Sequence, residues 1–248
     1  MSSTAIKPMH NTHQNSPFGI SVRDLIRPFS ALAFASLLSC FLLVLRMALI
    51  GQFRQLYLVW NLFLAWMPLF FALTAVCLSH TRPHRRSWFL SATAAWLLFF
   101  PNAPYILTDL IHLGPKTHDR YWADLVLILL FALIGLVLGF LSLFLMQRLV
   151  ARRYGWPSGW VFVGLVAGLS GFGIYAGRFL RWNSWDVVFS PIELFADASH
   201  WLLQLSNSAH GLIIPVLFAT MLFIAYLLLY SLTHLPAGLS AAMNSPKT

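Results

Sequence analysis

Six apolar runs alternate with short polar connectors along the 248-residue chain, at about 29–50, 57–79, 87–100, 121–147, 159–177 and 211–234. A spanning helix needs about 20 apolar residues, and five of the runs reach that length. The third does not. From Trp88 to Phe100 it has thirteen residues, about 20 Å at 1.5 Å per residue, against roughly 30 Å of hydrocarbon. Pro101-Asn102-Ala103-Pro104 then interrupts it, and the chain resumes as Tyr105-Ile106-Leu107-Thr108-Asp109-Leu110-Ile111-His112-Leu113. The break therefore falls inside the far leaflet, where backbone groups must be satisfied by other protein groups or by water in a cavity. Pro104 suits the first turn of a new short helix, with Asn102 as its cap. Pro68 and Pro215 predict kinks in the second and sixth spans.

The connector from Arg178 to His210 holds a seventh element. Ser190-Pro191-Ile192-Glu193 forms a capping box with proline at the first helical position. Beyond it Leu194, Ala198, Trp201, Leu202 and Leu205 fall on one helical face, and Glu193, Asp197, His200, Gln204 and Asn207 on the other. Opposed stripes of this kind describe a helix lying in the interface plane. The fold class is thus an all-α polytopic bundle: six transmembrane helices, one of them proline-broken, and one interfacial amphipathic helix on the outer face. Residues 1–28 form a disordered cytoplasmic tail, 29–235 the membrane domain and 236–248 a second, disordered tail. The pairs Gly135/Gly139, Gly164/Gly168 and Gly173/Gly177 are each four apart, a spacing that lets helices approach closely.

Composition agrees with a bilayer: 59% of the residues are hydrophobic and 9% charged, where a soluble domain carries about 25% charged residues. The formal charge of +9 sits in short connectors, which points to topology and not to nucleic acid. Ten basic residues (Lys7, Arg23, Arg27, Arg82, Arg85, Arg86, Arg148, Arg152, Arg153, Lys247) fall on the side of the termini, and five (Arg54, Lys116, Arg120, Arg178, Arg181) opposite. That bias puts both termini in the cytoplasm. Arg46, near the end of the first span, is expected to snorkel to the interface. Of the acids only Asp24 is then inside; Asp109, Asp119, Asp124, Asp186, Glu193 and Asp197 gather at the outer face. Cys40 and Cys77 lie within apolar runs without metal spacing and read as packing or lipid-facing residues.

Two constellations could carry chemistry. On a helix after Pro104, Tyr105, Asp109 and His112 share a face, with Thr108 beside them. A carboxylate and an imidazole three apart form a candidate acid/base pair, but supply too few ligands for a metal. The bland alternative pairs Asp109 with a nearby arginine and leaves His112 at headgroup level. Asp124, opening the fourth span beside Tyr121 and Trp122, is either a third acid facing the pocket or an acid favoured by a helix N-terminus. The second constellation is Gly177-Arg178-Phe179-Leu180-Arg181-Trp182-Asn183-Ser184-Trp185-Asp186. Arg178 and Arg181, with Tyr105, Asn102, Trp182, Asn183 and Asp186, can grip an anionic group such as a phospholipid or lipid-linked phosphate. The alternative is mutual neutralisation, because an acid at membrane depth needs a cationic partner.

At these residues, and at Gly171-Phe172-Gly173-Ile174-Tyr175, the chain resembles a family of bacterial multi-pass membrane proteins of unknown function, domain of unknown function 1361. The likeness extends from the second or third span to the sixth. It implies a bacterial cytoplasmic (inner) membrane protein and supplies no activity or cofactor. The family carries Trp-Tyr-Asp at the start of the fourth span, where this chain has Trp122-Ala123-Asp124, so no role passes to the middle position. Three functions are consistent with the residues: a protein binding or processing an anionic amphiphile at the outer leaflet, a non-catalytic subunit or scaffold whose Asp/Arg pairs are structural, and a small transporter. The transporter ranks last, since only one span is broken in this way and no inverted repeat accompanies it. The sequence sets neither the reaction nor the oligomeric state.

Overall fold

A computed structural model describes residues 22–51, 53, 55–81, 86–113, 118–194, 196–197, 199–200 and 210–243. In chain order the helices are α1 (Val22–Ile50), α2 (Tyr57–Thr81), α3 (Arg86–Phe99) and α4 (Asn102–Tyr105). A 3₁₀ segment (Ile106–His112) continues α4, and α5 (His118–Tyr154) and α6 (Trp156–Tyr175) follow. Then come a π-turn (Ala176–Leu180), α7 (Asp186–Phe189) and α8 (His210–Met243). Six helical stretches are long and apolar enough to cross a membrane. The start of α1 and the end of α8 therefore lie at one end of the bundle. The junctions of α1 with α2, of the 3₁₀ segment with α5, and of α6 with α7 lie at the other, called here the site end.

The central element is α5, packed against α1, α2, α4, the 3₁₀ segment and α6, while α8 packs on α6 and α3 on α2. Trp96, Phe100, Phe131, Leu138 and Ile106 are wholly enclosed at these contacts. In lipid such packing draws on dispersion and close approach more than on a hydrophobic effect, so small residues matter. Gly135 and Gly139 face the break: a Cβ at Gly135 would lie 2.5 Å from the carbonyl oxygen of Ala103, and one at Gly139 3.0 Å from the Ala103 Cβ. Gly173 meets Pro101 in the same way, at 2.8 Å from its Cγ. Gly171 packs against the Pro215 carbonyl of α8. The third small pair differs from expectation, for Gly164 and Gly168 have nothing near them and lie on an exposed face. We expect Gly135→Ala to destabilise the fold by about 1–3 kcal/mol through overpacking. Gly164→Ala should stay within about 0.5 kcal/mol of the parent. Equilibrium unfolding in mixed micelles reads both.

Two side-chain bonds tie the helices across the core: Trp66 Nε1 donates to Ser36 Oγ at 3.2 Å, and Trp96 Nε1 to Ser142 Oγ at 3.2 Å. Cys40 and Cys77 are free thiols.

Several boundaries move. Helix α5 runs seven residues past Gln147, to Tyr154, because Arg148, Leu149, Ala151, Arg152 and Arg153 are strong helix formers whatever their polarity. The turn comes at Gly155, whose φ of 92° a side chain would resist. Likewise α1 begins at Val22 instead of residue 29, and α8 continues to Met243, into the expected tail. Residues 1–21 and 244–248 lie outside the described residues, as do Arg54, Arg82, Arg85, Lys116 and the side chains of Asp119 and Arg120. The expected interfacial helix is helical at 191–194, 196–197 and 199–200. Its remaining positions, Ala198, Trp201, Leu202, Gln204, Leu205 and Asn207, lie outside the description.

Candidate functional site: a broken span held by two buried ion pairs

Neither proline offers an N–H, so the interrupted span leaves carbonyls to satisfy. Backbone turns take some of the bonding: Ala103 N donates to Phe100 O at 3.2 Å and Tyr105 N to Pro101 O at 3.1 Å. Side chains supply more. Asn102 Nδ2 donates back to Phe99 O at 3.0 Å and also to Ser184 Oγ at 2.8 Å, while Ser184 Oγ donates to Leu98 O at 3.1 Å. Asn102 is thus not the expected N-cap; Pro101 holds that position without a side-chain bond. Asn102 instead terminates α3 and stitches it to the chain leaving α6. Ser184 is a partner that spacing alone could not assign.

Past the break the chain is a 3₁₀ helix from Ile106 to His112, not the α-helix read from the sequence. At three residues per turn, Asp109 and His112 fall in line. Arg178 gathers this face from the opposite side. Its Nη2 lies 2.6 Å from Asp109 Oδ1, its Nε donates to Thr108 Oγ1 at 2.9 Å, and its Nη1 is 3.2 Å from His112 Nε2. Its guanidinium also covers the Tyr105 ring at 4.7 Å, a cation–π placement. Gly177 permits this, because a Cβ there would meet the Tyr105 ring at 3.1 Å. The second oxygen of Asp109 accepts from Asn61 Nδ2 of α2 at 2.8 Å. Asp109 is 1% exposed, with both oxygens engaged.

Asp124 is fully buried and is gripped from α1: Arg46 Nε donates to Oδ1 at 2.9 Å and Nη2 to Oδ2 at 3.1 Å. The fork-on-carboxylate geometry is the one that fixes orientation as well as charge. Arg46 is therefore a largely enclosed partner of Asp124 and not a snorkelling residue. Tyr57, first residue of α2, lies within electrostatic reach of Asp109, Arg178 and Asp124, and its ring meets the edge of His112 at 5.2 Å. The buried Tyr57 hydroxyl and Gln55 Oε1 have no hydrogen-bond partner among the described residues.

The rest of the second constellation builds a turn. The five-residue π-turn widens the end of α6, a geometry often found at functional positions. Arg181 follows it with φ 61° and ψ 28°, a left-handed conformation that costs a side-chain-bearing residue about 1–2 kcal/mol. It is the one non-glycine residue with positive φ among those described. Its side chain is exposed, and no hydrogen bond or ion pair reaches it among the described residues. Asp186 Oδ2 accepts from the Asn183 backbone N–H at 2.7 Å, and Trp182 Nε1 donates to Asp197 Oδ2 at 2.9 Å. Trp185 meets Trp60 edge-on at 6.3 Å. Asn183, Asp186 and Trp182 are thereby tied to neighbouring groups of the protein. Among the described residues no three His, Cys, Asp or Glu side chains come together in a way that could hold a metal.

Sequence reasoning put Asp109, His112 and Tyr105 on one face and offered Arg178 and Arg181 alike as partners; Arg178 meets that face, and no contact joins Arg181 to it among the described residues. The same reasoning missed Arg46, Asn61, Tyr57 and Ser184. A signal existed for two of them: Arg46 and Asn61 are isolated polar residues in apolar spans, and each demands a partner at its own depth.

This architecture defines a multi-pass membrane protein whose third span breaks beneath one surface and is locked there by charge. The profile of a family described as proteins of unknown function, DUF1361, matches residues 60–229, and the chain belongs to that family. No curated protein and no solved structure matches it.

Proposed function

We propose that this protein binds an anionic amphiphile, a phospholipid or lipid-linked phosphate, at the outer leaflet of a bacterial cytoplasmic membrane, with both termini in the cytoplasm. The ten-to-five excess of basic residues on the termini side supports that orientation. The observation that carries the binding reading is Arg181. Two other arginines near this face whose side chains are described, Arg46 and Arg178, are engaged by buried carboxylates. Arg181 is instead held in a strained, left-handed backbone, exposed and facing no acid among the described residues. Strain of this kind persists only where the surroundings enforce it, and it collects at binding positions. Exposed His112, beside Arg178, supplies a second polar contact at the same end.

In this reading Asp109 is a frame residue and not an acid/base catalyst, since both its oxygens are already occupied and water does not reach it. The site therefore favours binding over reaction. Nanodiscs doped with a polyprenyl phosphate or with phosphatidylglycerol test it. Arg181→Gln should weaken retention of the anionic lipid at least tenfold while the unfolding midpoint stays close to the parent's. Unchanged retention in Arg181→Gln would reject the assignment. Arg181→Gly separates strain from charge: it should relieve the backbone, leave stability within about 1 kcal/mol, and lose binding as Gln does.

A further inference from the structure

At the opposite end of the bundle lies a cavity of about 220 Å³, lined by Gln147, Arg148, Ala151, Arg152, Trp156 and Tyr230. We infer that it is a phosphate-binding site, taking the headgroup phosphate of an anionic lipid at the surface on the side of the termini. This goes beyond the function proposed above and shares no residue with it. The argument begins with depth. The cavity sits where α5 leaves the apolar core and turns at Gly155 into α6. Exposed Tyr154 and Trp156 flank the turn, the placement of an aromatic belt at headgroup level.

Its walls suit an oxyanion. Two arginines four residues apart project from one face of α5. The Arg148 guanidinium rests over the Phe144 ring at 5.1 Å, which orders the side chain on an apolar support. Gln147 is buried, and its carbonyl oxygen accepts the Tyr226 hydroxyl at 2.5 Å. Its amide NH₂ is left as a donor. Tyr230 and Trp156 both pack on Trp160, at 5.0 and 6.1 Å between ring centroids, and the buried Trp160 Nε1 has no acceptor among the described residues. The lining itself thus offers two guanidinium groups and the Gln147 amide as donors, and from Gln147 to Trp156 the sequence contains no acid. Basic pockets between helices at this level suit lipid phosphates.

The phosphate could come from a lipid or from solution, and one experiment separates them. The full chain is purified and its thermal unfolding followed in nanodiscs of phosphatidylcholine alone, in nanodiscs containing cardiolipin, and in phosphatidylcholine with added inorganic phosphate. The wild-type protein should gain several degrees with cardiolipin and little with inorganic phosphate. Arg148→Gln/Arg152→Gln should lose most of that gain, whereas Arg153→Gln should keep it. A gain from inorganic phosphate that the double variant loses would support the same site with a soluble ligand. Equal midpoints in all three media for the wild-type chain would overturn the inference, as would a cardiolipin gain that survives in the double variant. The wild-type comparison stands even if the variants fold poorly, and Arg181→Gln, measured in the same media, reads the share of the gain that belongs to the site end and so keeps the two sites' failures distinct.

Discussion

Replacing Arg178 by methionine is expected to remove about 3–5 kcal/mol of stability, the usual cost of leaving a buried charge without its partner. The size follows from what Arg178 holds. It joins α6 to the 3₁₀ segment through Asp109, Thr108, His112 and the Tyr105 ring, and its loss strands a carboxylate that is 1% exposed. Asp109→Asn should cost less. The arginine side chain is 15% exposed and that of Asp109 2%, so Arg178 can relax toward water and keep Thr108 while the carboxylate cannot. Lysine at 178 should recover only part of the loss, because an ammonium cannot bridge three acceptors in one plane. Unfolding in mixed micelles, with accumulation in membranes as a second readout, gives the order parent, Asp109→Asn, Arg178→Lys, Arg178→Met.

Arg46→Met is expected to be as damaging, again by about 3–5 kcal/mol, for a different structural reason. Asp124 is 0% exposed and lies on α5, the helix against which most of the others pack. An unpaired charge there is carried into the centre of the bundle and not to an edge. Replacing both members, as Arg46→Met with Asp124→Leu, should restore much of the loss, since an ion pair exchanged for apolar groups of like size is often neutral. Recovery in the double variant would show that the pair serves packing and orientation. A double variant as unstable as the single would mean that Asp124 has a further partner of equal weight.

Much of this architecture was legible in the chain. Six spans, their order, the break at Pro101–Pro104 and the gathering of Tyr105, Asp109 and His112 all follow from apolar run length and from prolines at a depth where loops are not tolerated. What could not be read was partner choice. Arg178 and Arg181 are three apart in the connector that leaves the fifth span, and nothing local separates them. The separation comes from the π-turn at 176–180 and the left-handed Arg181, which place one guanidinium inside and leave the other exposed. Arg46 was misread for a related reason. A lone arginine near a span end can snorkel, and only the approach of α1 to α5 brings Asp124 within 2.8 Å of it. Helix ends were misplaced wherever polarity was taken as a stop, as at Arg148, because helix propensity and hydropathy are separate properties of arginine.

The chief claim is that the broken span is fastened by Arg178 alone of the two neighbouring arginines, leaving the other for a ligand. Paired double-mutant cycles test this most directly: Asp109→Asn with Arg178→Met, and Asp109→Asn with Arg181→Met, followed by equilibrium unfolding. The first cycle should give a coupling of about 2–3 kcal/mol and the second one within about 0.5 kcal/mol of zero. A large coupling between Asp109 and Arg181, or none between Asp109 and Arg178, would contradict the account.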